Sequence, residues 1–234
     1  ININIRKTAS RCVSKFLTSY HGSAHPTSWQ HPEGHHHYHM MSCPTPHFQP
    51  TPHEFSKSNK LRIMVIRNPF DLLVSYWSHA DGGGIHGYQK RWGAQGNFGK
   101  WINRFHSEWP NEYFRKFLFY HPFDETGKCH VDIAIKMEFM EEAFTQILAG
   151  HRHHRDPRCQ SGPVHIPKNK WSGKRDKDFR LYYDDRTRLL VESFNRRELQ
   201  LFGYQFDQVR LDRQTPYMFD MRNIRYNPVT DSLG

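Results

Sequence analysis

RIMVIRNPFDLLVSYWSH, residues 62–79, puts an arginine and an Asn-Pro where an apolar run stops and a helical pattern starts. Ile63, Met64, Val65 and Ile66 are unbroken by polar residues and β-branched at three of four positions, so they predict a short strand covered on both faces. Pro69 suits the first turn of a helix, where a missing N–H costs nothing. A strand that feeds a helix through a polar turn is how an α/β fold presents groups to an anion. Arg67 is the fixed cation of that turn, and Ser75 lies two helical turns further on.

The chain around this segment has 234 residues, enough for one sizeable α/β domain, and no composition break calls for two. A single domain over residues 1–234 is therefore expected. Lys and Arg number 33 against 23 Asp and Glu, a net charge of +10 that draws anions in general without choosing among nucleic acid, acidic glycan and phosphorylated cofactor. A hydrophobic content of 36% with 15% aromatic residues suffices for a globule. No apolar stretch approaches the ~18 residues that a membrane helix requires. The expectation is a soluble, cytoplasmic protein, with a leader or anchor upstream of "ININI" left open. Cys12, Cys43, Cys129 and Cys159 form no C-x-x-C pair, so buried free thiols are expected rather than a zinc finger or a disulfide scaffold.

Strands and helices alternate along the chain. Residues 1–5 alternate Ile and Asn as a strand would, "RKTAS" is a polar turn, and Val13, Phe16, Leu17 and Tyr20 recur at helical spacing. Residues 21–53 hold nine of the 18 histidines and six of the 14 prolines, so regular structure should be scarce there, with "YHMMSC" as one short strand. The irregular His/Pro-rich segment as a whole runs over 21–60. Glycine-rich "DGGGIHG" and "WGAQGNFG" suggest a lid within 79–110, followed by a helix over "KWINRFHSEW". "VDIAIKMEF" alternates as a strand and "MEEAFTQILAG" follows it as a helix. A basic loop covers 151–180. "DDRTRLLVESFNRRELQLFGYQF" predicts a closing helix capped by Asp184 or Asp185, stopped by Gly203, with Leu190, Phe194 and Leu201 on one face. This order points to a mainly parallel sheet flanked by helices.

Two anion-binding turns follow the first and third expected strands. Lys7, Thr8, Ser10 and Arg11 offer an ammonium, two hydroxyls and a guanidinium at a helix N-terminus, a fit for a diphosphate-like group. Arg67 with Ser75 forms the second, where an arginine can grip a phosphate through two parallel hydrogen bonds. Taken singly, the first reads as an ordinary N-cap and the second as a surface charge.

Taken together, "KTAS" before a helix and "VIRNPFDLLVSYW" resemble the two signature segments of the sulfotransferases that use 3′-phosphoadenosine 5′-phosphosulfate (PAPS). "YYDDRTRLLVESFNRRELQLFGYQF" resembles the closing helix of their carbohydrate-type and bacterial members. The resemblance implies a three-layer, P-loop-like α/β fold with a central, mainly parallel sheet. It also implies a transferase that moves a sulfuryl group from PAPS to the hydroxyl of a sugar or small polar metabolite, releasing adenosine 3′,5′-bisphosphate (PAP). Arg6, Lys7, Thr8, Ala9, Ser10, Arg11 and Cys12 would form the 5′-phosphosulfate loop, with Lys7 near the bridging oxygen. Arg67 and Ser75 would hold the 3′-phosphate. Ser172, Gly173, Lys174 and Arg175 match the loop that closes over this phosphate and the adenine. Ala9 stands where many members carry glycine, and Arg11 where a hydroxyl residue is common.

Sulfuryl transfer in line through a loose transition state demands positioning and charge stabilisation, as phosphoryl transfer does. Lys7 would neutralise the leaving phosphate, and a histidine would take the acceptor proton. Relatives place that base about twenty residues before the phosphate-binding arginine, which the spacing of His47 and Arg67 matches best. His39, His37 and His53 stand in reserve. His37 with His39, or His35 with His37, would share a strand face and could bind zinc, but no acidic or Cys cluster completes a site and no metal is expected. Glu138 resembles a family position that packs beneath the cofactor loops and is taken as structural. Trp77, Trp92, Trp101 and Trp109 are read as core or lid aromatics.

Two alternatives remain. A P-loop nucleotide phosphotransferase would need the G-x-x-x-x-G-K-[ST] pattern that "IRKTASR" lacks. A non-catalytic basic module for glycan or nucleic acid would use the runs "HRHHRDPR" and "KNKWSGKRDKD". The expected partner is a small-molecule or carbohydrate acceptor rather than nucleic acid. The acceptor's identity and the oligomeric state are not written in the sequence.

Overall fold

Strand β2, Ile63–Ile66, is buried at all four positions, as an unbroken apolar run requires. The computed structural model describes residues 2–3, 61–81, 93–108, 126–150, 163–166, 178–207, 216–227 and 232–233. Among these, β1 (Asn2–Ile3), β2, β3 (Ile133–Lys136) and β4 (Met218–Asp220) form a sheet in the order β1-β2-β3-β4. The pairings β1 with β2 and β2 with β3 are parallel, with Ile63 opposite Ile133 and Ile66 opposite Lys136. β4 runs antiparallel to β3. The protein is thus mixed α/β with a small, mainly parallel sheet. The expected first helix, the "YHMMSC" strand, all of 21–60 and most of 151–180 lie outside the described residues.

The chain divides into two compact units interleaved in sequence. The first comprises Ile1–Ile66, His130–Lys170 and Tyr217–Asn223, and holds the sheet. A 3-10 turn, Met137–Phe139, follows β3 and leads into a helix at Met140–Gly150, here α3. The strand expected over "VDIAIKMEF" therefore stops at Lys136. Ile63, Val65 and Ile135 pack with Ala143 and Phe144 of α3 and with Ile166. Met64 and Ile66, which point the other way along the strand, are equally buried. Residues 163–166 are docked on α3, where the Val164 N–H donates to Thr145 Oγ1 at 2.9 Å and the Ile166 N–H to Glu141 Oε1 at 2.8 Å.

Arg62 and Asp132 tie the starts of β2 and β3. Arg62 donates from its backbone N–H and Nε to Oδ2 at 2.7 and 3.0 Å, and from Nη2 to Oδ1 at 2.8 Å. Burial pushes the Asp132 carboxyl up, but the Arg62 hydrogen bonds and charge, aided by Arg222, outweigh it and leave the group below its ordinary value. At the other end of β3, Lys136 is fully buried with Nζ 5.6 Å from the centre of the Phe219 ring. Desolvation lowers its pKa, and the charge of exposed Glu138 partly opposes this.

The second unit comprises Arg67–Cys129, Trp171–Pro216 and Ile224–Gly234. It contains α1 (Pro69–Asp81), α2 (Phe98–Glu108), a 3-10 turn at Phe179–Tyr182, α4 (Asp185–Phe194), α5 (Arg196–Phe202) and a short hairpin of β5 (Tyr226–Asn227) with β6 (Ser232–Leu233). Its core is aromatic: Phe70, Tyr76, Trp77, Phe98 and Trp101 are buried with Leu72, Leu73, Val74, Ile102 and Val191. Trp77 and Trp101 are core residues as expected; Trp92 and Trp109 lie outside the described residues. Cys129 is a buried free thiol, also as expected.

Two boundaries differ from the sequence expectation. α2 starts at Phe98, inside the stretch read as a glycine-rich lid, because Asn97 caps it: its Oδ1 accepts from the Lys100 N–H at 2.8 Å and its carbonyl from the Trp101 N–H at 3.1 Å. The closing helix is broken. Asn195 takes a non-helical backbone (φ −103°, ψ 20°), and its Nδ2 and backbone N–H both donate to the Val191 carbonyl at 3.0 Å, ending α4 before its own carbonyl starts α5. Asp184, one of the two candidate caps, forms a reciprocal capping box with Thr187, and Gly203 ends α5 at φ 61°. The buried stripe is Thr187, Val191, Asn195, Glu198 and Phe202. The expected face of Leu190, Phe194 and Leu201 is only half-buried, because the capping and helix-breaking side chains turn inward in its place.

Candidate functional site

The polar turn after β2 is built by Asn68 before any ligand is considered. Its Oδ1 accepts the Phe70 N–H at 3.0 Å and its carbonyl accepts the Leu72 N–H at 2.9 Å, so Asn68 is the N-cap of α1. Its Nδ2 donates to the Gln205 carbonyl at 3.4 Å, a link across the chain to the end of α5. Pro69 takes the first helical position, as expected. Side-chain hydrogen bonds to a first-turn amide define where the helix begins, and hence where Arg67, one residue upstream of the cap, leaves the chain.

Arg67 turns back along the helix. Its Nε donates to Asp71 Oδ2 at 2.6 Å, and Nη2 reaches the same oxygen at 2.5 Å. The two side chains are 8% and 17% exposed, so the pair is largely withdrawn from water and holds its geometry. Asp71 also sits in the first turn of α1, where a carboxylate complements the helix dipole. Sequence reading sought cations here and passed over Asp71, although the opposite charges at i and i+4 were the available signal.

Along α1 the residues Pro69, Phe70, Leu72, Leu73, Val74, Tyr76 and Trp77 are buried, whereas Asp71, Ser75 and Ser78 are half-buried. Spacings of four and three put these three on one face. The Arg67 guanidinium, drawn to Asp71, lies about one turn, ~6 Å, from the level of Ser75. Ser78 Oγ donates to the Ser75 carbonyl at 3.3 Å. The result is a half-buried polar face of Asp71, Ser75 and Ser78 on α1, with the Arg67 cation at its N-terminal end.

Tyr183 supports this turn from the far side of the unit. Its hydroxyl donates to the Phe70 carbonyl at 2.9 Å, and its ring meets Phe70, Phe98 and Phe206 edge-on at centroid distances of 5.5, 4.8 and 5.5 Å. Burial pushes the phenol well above its usual pKa, and the Asp71 charge adds to the shift. The group therefore remains a hydrogen-bond donor at any working pH. Sequence reading did not single out Tyr183.

Of the expected site residues, Arg67 and Ser75 are described: Arg67 lies just upstream of α1 and pairs with Asp71, and Ser75 is half-buried on the same face of α1 as Asp71. Arg6, Lys7, Thr8, Ala9, Ser10, Arg11, Cys12, His39, His47, Ser172, Gly173, Lys174 and Arg175 lie outside the described residues. Among the described residues no group of three or more His, Cys, Asp or Glu could hold a metal, and no helix is long and apolar enough to cross a membrane.

A parallel sheet strand followed by a capped turn is an arrangement through which α/β proteins can present groups to an anion. Residues 1–205 match the family model described as the sulfotransferase family, which is most of the 234-residue chain, and the chain belongs to that family. Sulfuryl transfer is accordingly the general class of its reaction. No curated protein and no solved structure matches it.

Proposed function

We propose that the chain transfers the sulfuryl group of PAPS to an acceptor hydroxyl of a sugar or small polar metabolite, within a three-layer, P-loop-like fold acting as a single domain. The observation that carries this reading is the Arg67–Asp71–Ser75 face at the start of α1, in a chain of the sulfotransferase family. Its cation is oriented and largely desolvated, as recognition of a ribose 3′-phosphate needs, and a guanidinium has five donors with which to serve a carboxylate and a phosphate together.

The remaining roles follow the resemblance. Lys7 offsets charge developing on the 5′-phosphate as the bond between sulfur and the bridging oxygen breaks. His47, with His39 in reserve, takes the proton from the acceptor hydroxyl as its oxygen bonds to sulfur. PAP leaves with the electrons of the broken bond. Ser172, Gly173, Lys174 and Arg175 cover the 3′-phosphate and adenine. No step calls for a metal.

Thermal denaturation with nucleotides tests the donor. PAP is expected to raise the melting temperature more than ATP with magnesium, because a ligand that binds only the native state stabilises it. Equal shifts, or none, would count against PAPS and favour a nucleotide phosphotransferase or a basic binding module. Transfer of labelled sulfate from PAPS to a panel of hydroxyl acceptors then identifies the substrate.

A further inference from the structure

Tyr183 is 113 residues from Phe70 in sequence, yet its hydroxyl meets a carbonyl in the first turn of α1. Both sides of Tyr183 are pinned. Its backbone N–H donates to the Arg180 carbonyl at 3.1 Å, closing the 3-10 turn, and the next residue, Asp184, is the capping-box residue of α4. Three aromatic rings confine its own ring. The phenol oxygen thus has little freedom, and the peptide it holds is the one joining Phe70 to Asp71. Asp71 in turn accepts the Nε hydrogen bond of Arg67 and pairs with its Nη2 through the same oxygen.

We propose that Tyr183 is a positioning residue for the donor's 3′-phosphate: through the Phe70 carbonyl it sets the Asp71 backbone, and through Asp71 the direction of the Arg67 guanidinium. The proposal rests on the donor reading above. The physical need is plain, since a charge pair that is displaced by about 1 Å loses much of what orientation supplies. Asn68 fixes the same turn from its amide side, by accepting the Phe70 N–H. Residue 70 therefore has its N–H held by Asn68 and its carbonyl held by Tyr183, and the link between Arg67 and its carboxylate spans that clamped residue.

The test is a nucleotide comparison by titration calorimetry, run well below the melting transition of each variant. Tyr183→Phe keeps the ring and removes only the hydroxyl. PAP affinity is expected to fall about 3- to 10-fold, as loss of one hydrogen bond allows, while affinity for adenosine 5′-monophosphate, which has no 3′-phosphate, stays within about twofold. In an Arg67→Ala background the same substitution should add no further loss, because its effect passes through the guanidinium. Phe206→Leu, which loosens the same aromatic cluster, should leave the ratio of the two affinities unchanged. Equal weakening of both nucleotides by Tyr183→Phe, an undiminished effect without Arg67, or a matching change with Phe206→Leu would each overturn the proposal. A parent chain that binds the two nucleotides alike overturns the donor reading itself, and the role of Tyr183 with it. A parent that prefers PAP, with Tyr183→Phe showing the same preference, overturns Tyr183 alone.

Discussion

Arg67 and Asp71 meet through one oxygen: Nε and Nη2 of the arginine converge on Oδ2 at 2.6 and 2.5 Å, one helical turn apart in sequence. Removing the carboxylate takes away the acceptor of the Nε hydrogen bond of a largely buried guanidinium. Asp71→Ala is expected to lower stability by about 1–3 kcal/mol, measured by urea denaturation. A change within ~0.3 kcal/mol would show that water or another acceptor replaces the carboxylate.

Arg67→Lys keeps the charge and loses the planar fork. A point charge cannot reproduce two bonds to one oxygen and also face a phosphate, so PAP affinity should fall at least about tenfold while adenosine 5′-monophosphate affinity changes little. Unchanged PAP affinity by calorimetry would remove Arg67 from the phosphate site.

Lys7→Ala and His47→Ala separate charge stabilisation from proton transfer. The first is expected to abolish measurable turnover. The second should reduce kcat by about 10²- to 10⁴-fold and leave PAP affinity nearly intact. Normal turnover in His47→Ala, in an assay of labelled PAPS, would move the base to His39 or another histidine.

Asp132 sets part of the acid limb of stability. Its folded pKa lies below the usual carboxylate value because Arg62 and Arg222 outweigh the cost of burial. The stabilisation is therefore fully present above the unfolded pKa of about 4 and is lost as pH falls through the folded value. Denaturation between pH 5 and 2, as a working range of roughly three units, should show a shallower loss for Asp132→Asn than for the parent. Identical slopes would mean that the Arg62 pair is already broken in solution.

Gly203 tests the end of the closing helix. At φ +61° an L residue is strained even though a Cβ would meet nothing within 4 Å. Gly203→Ala should cost about 1 kcal/mol, and Gly203→Asn less, because Asn tolerates the left-handed region. An equal cost for both, by thermal melting, would point to something other than backbone strain.

The parts of the fold that sequence made legible were those governed by local rules. Four apolar residues made β2, Pro69 opened α1, Asp184 capped α4 and Gly203 closed α5. What escaped depended on particular side-chain hydrogen bonds rather than on periodicity, local for Asn97 and Asn195 and far along the chain for Tyr183. The inward turn of Asn195 and Glu198 puts polar residues on the face where a periodicity argument seeks leucines. Asn97 lay among glycines that read as a loop. Tyr183 is one aromatic residue among many until its hydroxyl is seen on the Phe70 carbonyl. In the candidate site, Arg67 and Ser75 were singled out from their pattern, whereas Asp71 was passed over although its charge lies four residues from Arg67. The strand Met218–Asp220 is three residues long, too short for an alternation signal.

Strand β4 lies beyond residue 205, where the family match ends, and it pairs with Ile133 to Ile135 of β3. A chain cut back to the matched boundary would present a bare row of peptide donors and acceptors beside half-buried Ile133 and buried Ile135 to any neighbouring molecule. Self-association and loss of yield are the expected outcomes of such trimming.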